Sequence, residues 1–340
     1  YHNEDFINGS NGNASEHAVF KGPLGFSFDI RDTFAVPDIA RNAEMMNEAW
    51  QRSQYACDVD GIVSVDPVFI QKMVEINGNV TLENGTVLTS ENTAEYMLNT
   101  IYKEVPVSLQ DTYFEYIAST IMNKAFSNMD IAKMMKVAQS IGELTKNRHF
   151  YAYTFHDDEA KYFQGAGLAK GTPDSETDPE VGIYLNEQNP SKLGWYIDRK
   201  AQITKTGQNA DGSKTYHVTY TLTNTLTSSE MATCTGYILG GEQAGVTGKP
   251  VAAPGTSAQR MLFYAPKGGS ISEITSSGDV RDQSNAVMDD QKLVTNVAYI
   301  APGESVTFDF DVTTSPKAES DLTIDQTPSG KMTNEVNYQY

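Results

Sequence analysis

Residues 59–89 read VDGIVSVDPVFIQKMVEINGNVTLENGTVLT, and the fold turns on them. The apolar run Gly61–Val65 stops at Asp66-Pro67, the pattern of a short buried strand running into a helix. Pro67 has a fixed φ and no N–H, which suits a first helical turn. Asp66 stands where an N-cap residue would, although a carboxylate at the carboxyl end of a strand is also well placed for function. Phe69, Ile70, Met73 and Val74 then recur at helical spacing. In NVTLENGTVLT, Asn84-Gly85 separates two β-type runs, a strong hairpin signal. Strand, helix and hairpin in succession predict a layered α/β unit.

Working outward, PLGFSFDI (23–30) alternates Leu24, Phe26, Phe28 and Ile30, which predicts a strand. Asp38 follows Pro37 as an N-cap, and Ile39, Ala43, Met46 and Trp50 predict a helix over 38–53. Residues 1–20 are turn-rich and read as a solvated, flexible arm. Downstream, Thr89 or Ser90 caps a helix over 90–100. Helical periodicity fills 108–146, with Asn128 dividing it into two helices. HFYAYTF (149–155) alternates as a strand, HDDEAKYFQGAG forms a short helix, and GTPDSETDPE (171–180) is an acidic loop. From residue 181 the helical period is gone. VGIYLN, GWYIDRKAQITKT, KTYHVTYTLTNTL, ATCTGYIL, QRMLFYAP, ISEIT, KLVTNVAYI and SVTFDFDVTT are strand-like and separated by turn chemistry. The chain is thus expected to be α/β plus all-β. A flexible arm (1–20) precedes a layered α/β domain (21–180), and an antiparallel β-sandwich (181–340) follows.

Composition limits the function. The formal charge is −19, which excludes nucleic acid as main partner, because a phosphate polyanion needs a basic footprint. No apolar run is long enough to span a membrane. There is no Walker loop, dinucleotide-binding glycine fingerprint, H-E-x-x-H, G-x-S-x-G or C-x-x-C. His156 beside Asp157 and Asp158 reads either as a metal or acid–base site or as a helix start, with Asp157 or Asp158 as cap. Asp174, Glu176, Asp178 and Glu180 are candidate Ca²⁺ ligands, or simply a solvated acidic loop. Asp29, Arg31 and Asp32 follow the strand expected at 23–30, where an α/β sheet opens its ligand crevice. With Asp66 they are the catalytic candidates if the chain is an enzyme, and they should then converge in one pocket. Cys57 and Cys234, the two cysteines, allow one bridge or two buried thiols. Trp195 and Tyr196 are candidates for stacking on sugars, against the alternative of core packing.

These residues carry a resemblance. VDGIVSVDPVFIQKMVEINGNVTLENGTVLTSENTAEYML resembles the central signature of the domain-of-unknown-function 4012 family, V-D-G-V-I-x-x-D-P, then a helix, G-x-V and an L-T-x-x-N helix. RDTFAVPDIARNAEMMNEAW is similar to the segment before it. FHDDEAKYFQGAGLAKG, VGIYLNEQNPSKLGWYIDR, YHVTYTLTNTL and MLFYAPKGGSIS resemble its carboxyl half, so the likeness runs from about residue 24 to 315. The resemblance implies an exported, usually membrane-anchored bacterial protein whose amino-terminal part lies upstream of Tyr1. It also implies an incomplete α/β sheet that an upstream segment of the same precursor pairs with. The strand–helix–strand region resembles, more weakly, the LytR–CpsA–Psr wall glycopolymer transferases. Those enzymes hold a pyrophosphate with arginines, and residues 99–147 contain none. The expected function is a non-catalytic cell-surface protein that binds or scaffolds in the envelope, near surface polysaccharide or other surface proteins. The rivals are a glycopolymer phosphotransferase with a divalent cation in place of the arginines, and a structural subunit completed by strand pairing.

Overall fold

The computed structural model of the chain describes residues 13–127, 129–240 and 251–340. The decisive stretch forms strand β1 (Gly61–Val65) and the helix Pro67–Asn77. Asp66 Oδ1 accepts from the N–H groups of Val68 and Phe69, both at 2.9 Å, and so satisfies two donors that a helix start leaves open. β2 (Val80–Thr81) and β3 (Val87–Leu88) make the hairpin, with Gly85 at φ +85°. β4 (Phe150–Thr154) pairs antiparallel with β1, Val63 opposite Ala152. Helical segments over 93–104, Val107–Ser127 and Ile131–Lys146 pack on the Pro67–Asn77 helix around Ile70, Leu88, Ile101, Ile117 and Leu144. The first of them starts after Asn92, not after Thr89 or Ser90. Asn92 Oδ1 instead takes the Thr89 N–H at 2.7 Å in a turn ahead of the helix. The break expected at Asn128 falls on a residue outside the described ones, and Asp130 caps the next helix. β1 is not buried as expected: Val63 is 67% and Val65 41% exposed, because β4 is its only paired neighbour among the described residues.

The remaining strands are β5 (Glu180–Glu187), β6 (Ile197–Gln208), β7 (Lys214–Asn224), β8 (Ser257–Tyr264), β9 (Ser270–Ile271), β10 (Thr275–Ser277), β11 (Asp279–Met288), β12 (Gln291–Ile300), β13 (Ser305–Thr313), β14 (Thr323–Gln326) and β15 (Glu335–Gln339). One sheet runs β10-β13-β7-β6-β15, with β9 on β13; the other runs β11-β12-β8-β5-β14. The tail strands β14 and β15 join β5 and β6 in parallel, and the other pairs are antiparallel. Alternate residues of β7 and β13 (Tyr216, Val218, Tyr220, Phe308, Phe310) meet Ile183, Met261 and Phe263 between the sheets. ATCTGYIL is not a strand. Thr227 and Glu230 form a reciprocal capping box that starts the helix Ser228–Thr233, and Gly236–Leu239 follows.

The amino-terminal segment departs most from the sequence reading. Residues 13–20 are not a flexible arm: Asn13 caps the helix Ala14–Val19, and Val19 and Phe20 are buried. The rest of that arm, residues 1–12, lies outside the described residues. The strand expected at 23–30 is replaced by a wide helical turn, Phe20–Leu24, closed by Gly25 at φ +81°, and a 3₁₀ turn, Ile30–Ala35. Leu24 and Phe28 are buried all the same, and Phe26 and Ile30 are partly buried against the same cluster. Phe20 meets Phe26 and Phe28 edge-on at 5.2 and 5.1 Å, and Phe20, Leu24 and Phe28 cover Tyr184, Leu262, Tyr264 and Leu293. The helix Ile39–Gln51, capped by Asp38 as expected, adds Met45 and Ala49 to this cluster. The β5–β8–β12–β11 sheet therefore has a core on both faces. Among the described residues no helix is long and apolar enough to cross a membrane.

Candidate functional site

A cavity of about 360 Å³ opens where these units meet. Its walls come from the 34–39 segment, the end of β1, residues 148–151, β5 and the 327–328 crossing. Asp66 stands at its edge. Oδ1 is used by the helix cap, and Oδ2 lies 2.7 Å from Nδ1 of the buried His149. His149 Nε2 lies 3.1 Å from the Met332 carbonyl oxygen. Both ring nitrogens thus face acceptors.

The floor is Arg148, held at φ +63°, a left-handed conformation uncommon for a residue with a Cβ. Its Nε and Nη2 donate to Asp325 Oδ1 and Oδ2 at 2.8 and 2.5 Å. Nη1 donates to the Pro37 carbonyl at 2.7 Å and Nη2 to the Gly171 carbonyl at 2.6 Å. The guanidinium lies 4.9 Å from the centre of the Tyr184 ring, whose hydroxyl also donates to Asp325. Burial by itself would raise the Asp325 pKa. The charge and hydrogen bonds of Arg148, with Lys170 and Tyr184, outweigh it and hold the carboxyl below its usual range. One buried ion pair therefore ties the amino-terminal segment, the 171 loop, β5 and β14 beneath the cavity.

At the mouth, Phe34 is 44% exposed and lies nearly parallel to Tyr151, centroids 6.2 Å apart and planes 16° apart. Burial pushes the Tyr151 hydroxyl up to about 12. Asn186 Nδ2 donates to the Ala35 carbonyl at 3.2 Å. An aromatic face with a few fixed polar groups beside it is suited to holding a ligand. The charged groups below are engaged by protein partners.

The other sequence candidates are dispersed. Asp29, Arg31 and Asp32 do not line this cavity. Both Asp29 oxygens take the Arg31 side chain, at 2.9 and 2.7 Å. Burial, with the Asp29 charge, raises Asp32. Asp174, Asp178 and Glu180 line a separate cleft of about 660 Å³, while Glu176 pairs with Lys317 at 2.8 Å. Among the described residues no group of three or more His, Cys, Asp or Glu could hold a metal ion, so the Ca²⁺ reading of Asp174, Glu176 and Asp178 finds no site. His156, not Asp157 or Asp158, is the N-cap of its helix, and its Nε2 lies 3.0 Å from Asp60. Cys57 and Cys234 are both free thiols, so the bridge is not formed. Tyr196 is buried, its hydroxyl donating to Asn99 at 3.1 Å, which removes it as a stacking platform. Trp195 is half-buried on the wall of another cavity. Reading the sequence missed Phe34, Arg148, His149 and Asp325. The partners of Arg148 and His149 lie 177 and 83 residues away, and no local pattern announces them.

Comparison with known proteins gives a family likeness. Residues 8–102 match the model of the family described as "Protein of unknown function (DUF4012)". The resemblance carried by the 59–89 signature is thereby shown for that part of the chain. No curated protein matches. A solved structure from Legionella pneumophila, provisionally described as a nutrient binding protein, is 13% identical, with a TM-score of 0.21 over 41% of this chain and 44% of that one. A score so low carries no argument.

Proposed function

We propose that this chain is a non-catalytic binding module of a bacterial cell envelope, and that the cavity beneath Phe34 takes a surface glycan. The observation that carries this reading is the stacked Phe34–Tyr151 pair beside Asp66 and Asn186. A sugar presents an apolar face to an aromatic ring and hydroxyls to carboxylate and amide groups, and this wall offers both. The polar groups deeper in the cavity favour binding over turnover. Arg148 is consumed by Asp325 and two carbonyls, and His149 by Asp66 and Met332. The charge of −19 and the family likeness support an extracytoplasmic setting.

The test is calorimetric titration of the full chain with an N-acetylglucosamine tetrasaccharide. Saturable binding is expected, with the sugar recovered intact. Phe34→Ala should weaken it about tenfold, roughly the worth of one aromatic contact. An unchanged affinity in that variant, no heat of binding, or cleavage of the sugar would each defeat the proposal.

A second reading, a subunit of a surface assembly, rests on β1. The Ala152 N–H turns away from β1 to the Leu168 carbonyl, at 3.0 Å. In an antiparallel pair this leaves the N–H and C=O of the opposite residue, Val63, on the outer edge. Val63 and Val65 expose their side chains there. Such an edge is a template for a strand from a neighbouring subunit or from an upstream segment of the same precursor.

A further inference from the structure

Strand β6 alternates, and Ile197, Ala201 and Ile203 face the sandwich core. Arg199 occupies the same face between them. Its Nη1 donates to the carbonyls of Thr327 and Pro328 at 2.6 and 3.0 Å. Its Nε is sealed from solvent without an acceptor. The contrast with three other arginines is direct. Arg31, Arg148 and Arg281 each turn the Nε/Nη2 edge onto a carboxylate, that of Asp29, Asp325 and Asp279 respectively. Among the described residues that edge of Arg199 carries no hydrogen bond and faces no carboxylate. The electrostatics follow. Burial lowers the pKa of Arg199, whereas the carboxylate partners raise those of Arg31, Arg148 and Arg281.

Arg199 lines a cavity of about 350 Å³ between β6 and the 329–335 segment. Trp195 forms one wall. Its ring is backed by Gly330, where a Cβ would come within 2.8 Å of the indole, so the close approach requires glycine. At the rim, Lys331 is paired with Asp198 at 2.7 Å and Lys200 with Glu335 at 3.2 Å. Three cations therefore face two carboxylates, and the unmatched charge is the arginine's. In a chain of net charge −19, an unmatched cation on a cavity wall is a receptor for an anion brought from outside.

We propose that this cavity binds a sugar unit bearing an oxyanion, a carboxylate or a phosphate, with the charge at Nη2 of Arg199, beside the sealed Nε, and the sugar ring against Trp195. None of these residues lines the cavity beneath Phe34, although the two carbonyls that Arg199 holds belong to Thr327 and Pro328 on its wall; binding at the two sites is told apart by the indole of Trp195, which faces this cavity alone. The chain has two tryptophans, and Trp50→Phe leaves Trp195 as the sole reporter. That variant of the full chain is titrated with glucuronate, with glucose 1-phosphate and with glucose, following indole fluorescence. A saturable change is expected with at least one anion and none with glucose at the same concentration; the first two arms tell carboxylate from phosphate. Arg199→Gln keeps a donor for the two carbonyls and removes the charge, and should weaken the response at least about tenfold. Lys331→Gln leaves those carbonyl bonds untouched. It should weaken binding two- to threefold and flatten its salt dependence, which keeps the test alive if Arg199→Gln does not fold. Equal response to glucose, no response to either anion, or full affinity in a folded Arg199→Gln protein overturns the proposal.

Discussion

Replacing Asp325 by Asn keeps the size of the side chain and removes the counter-charge of Arg148. Both side chains are almost wholly buried, at 1% and 2% exposure, so solvent cannot compensate. Breaking a buried pair by removing one partner costs about 3–5 kcal/mol, since the remaining charge stays in a poorly polarisable interior. At about 2 °C per kcal/mol, the lower end for large domains, the expected fall in melting temperature is roughly 6–10 °C by scanning calorimetry. The pH dependence sharpens the prediction. Asp325 is held below its usual pKa despite burial, which opposes ionisation. A carboxyl depressed in the folded state contributes stability that is complete above its unfolded value, about 3.9, and is lost as the pH falls through the folded one. The gap between wild type and Asp325→Asn should therefore be constant from pH 7 to about 5 and close below about 4. Arg148→Met combined with Asp325→Leu should recover only part of the loss, because the Pro37 and Gly171 carbonyls would then lack their donor. An Asp325→Asn protein that melts within about 1 °C of wild type, or a gap that widens on acidification, would refute the view that this pair holds the units together.

Two further outcomes are expected. N-Ethylmaleimide without reductant should add two adducts by intact mass, at exposed Cys57 first and later at Cys234, which packs 3.8 Å from the Tyr196 hydroxyl; a protein lighter by two hydrogens that takes no adduct would mean a bridge. Val63 is 67% exposed, so Val63→Lys should leave the melting temperature within about 1 °C while suppressing any concentration-dependent association seen by light scattering. A wild-type chain that stays monomeric at every concentration tested would count against strand pairing between copies.

What could be read from the sequence divides along a physical line. Asp66 and Pro67 settle their helix start alone, because a cap needs only the next few N–H groups. Asn84-Gly85 likewise settles its hairpin. The 23–30 segment shows how a correct burial pattern yields a wrong element. Phe28 is buried where alternation puts an inward residue, yet among the described residues nothing pairs with this backbone as a strand, and Phe26 N–H closes locally onto the Phe20 carbonyl at 3.0 Å. ATCTGYIL has β-rich composition but yields to a capping box written in Thr227 and Glu230.

The candidate sites divide the same way. Arg148 and His149 adjoin in sequence, but their meaning lies in Asp325 and Asp66, which only the folded chain brings near. Arg199 was missed as well, although its signal is local. In I-D-R-K-A-Q-I the even positions face solvent and the odd ones face the core, and an arginine on the odd register is a charge the fold must either pair or use. The chain pairs Arg31, Arg148 and Arg281 with carboxylates of its own. For Arg199 the fold supplies two carbonyls and a cavity wall, and the missing half of that interaction is most simply an anion that is not part of the chain.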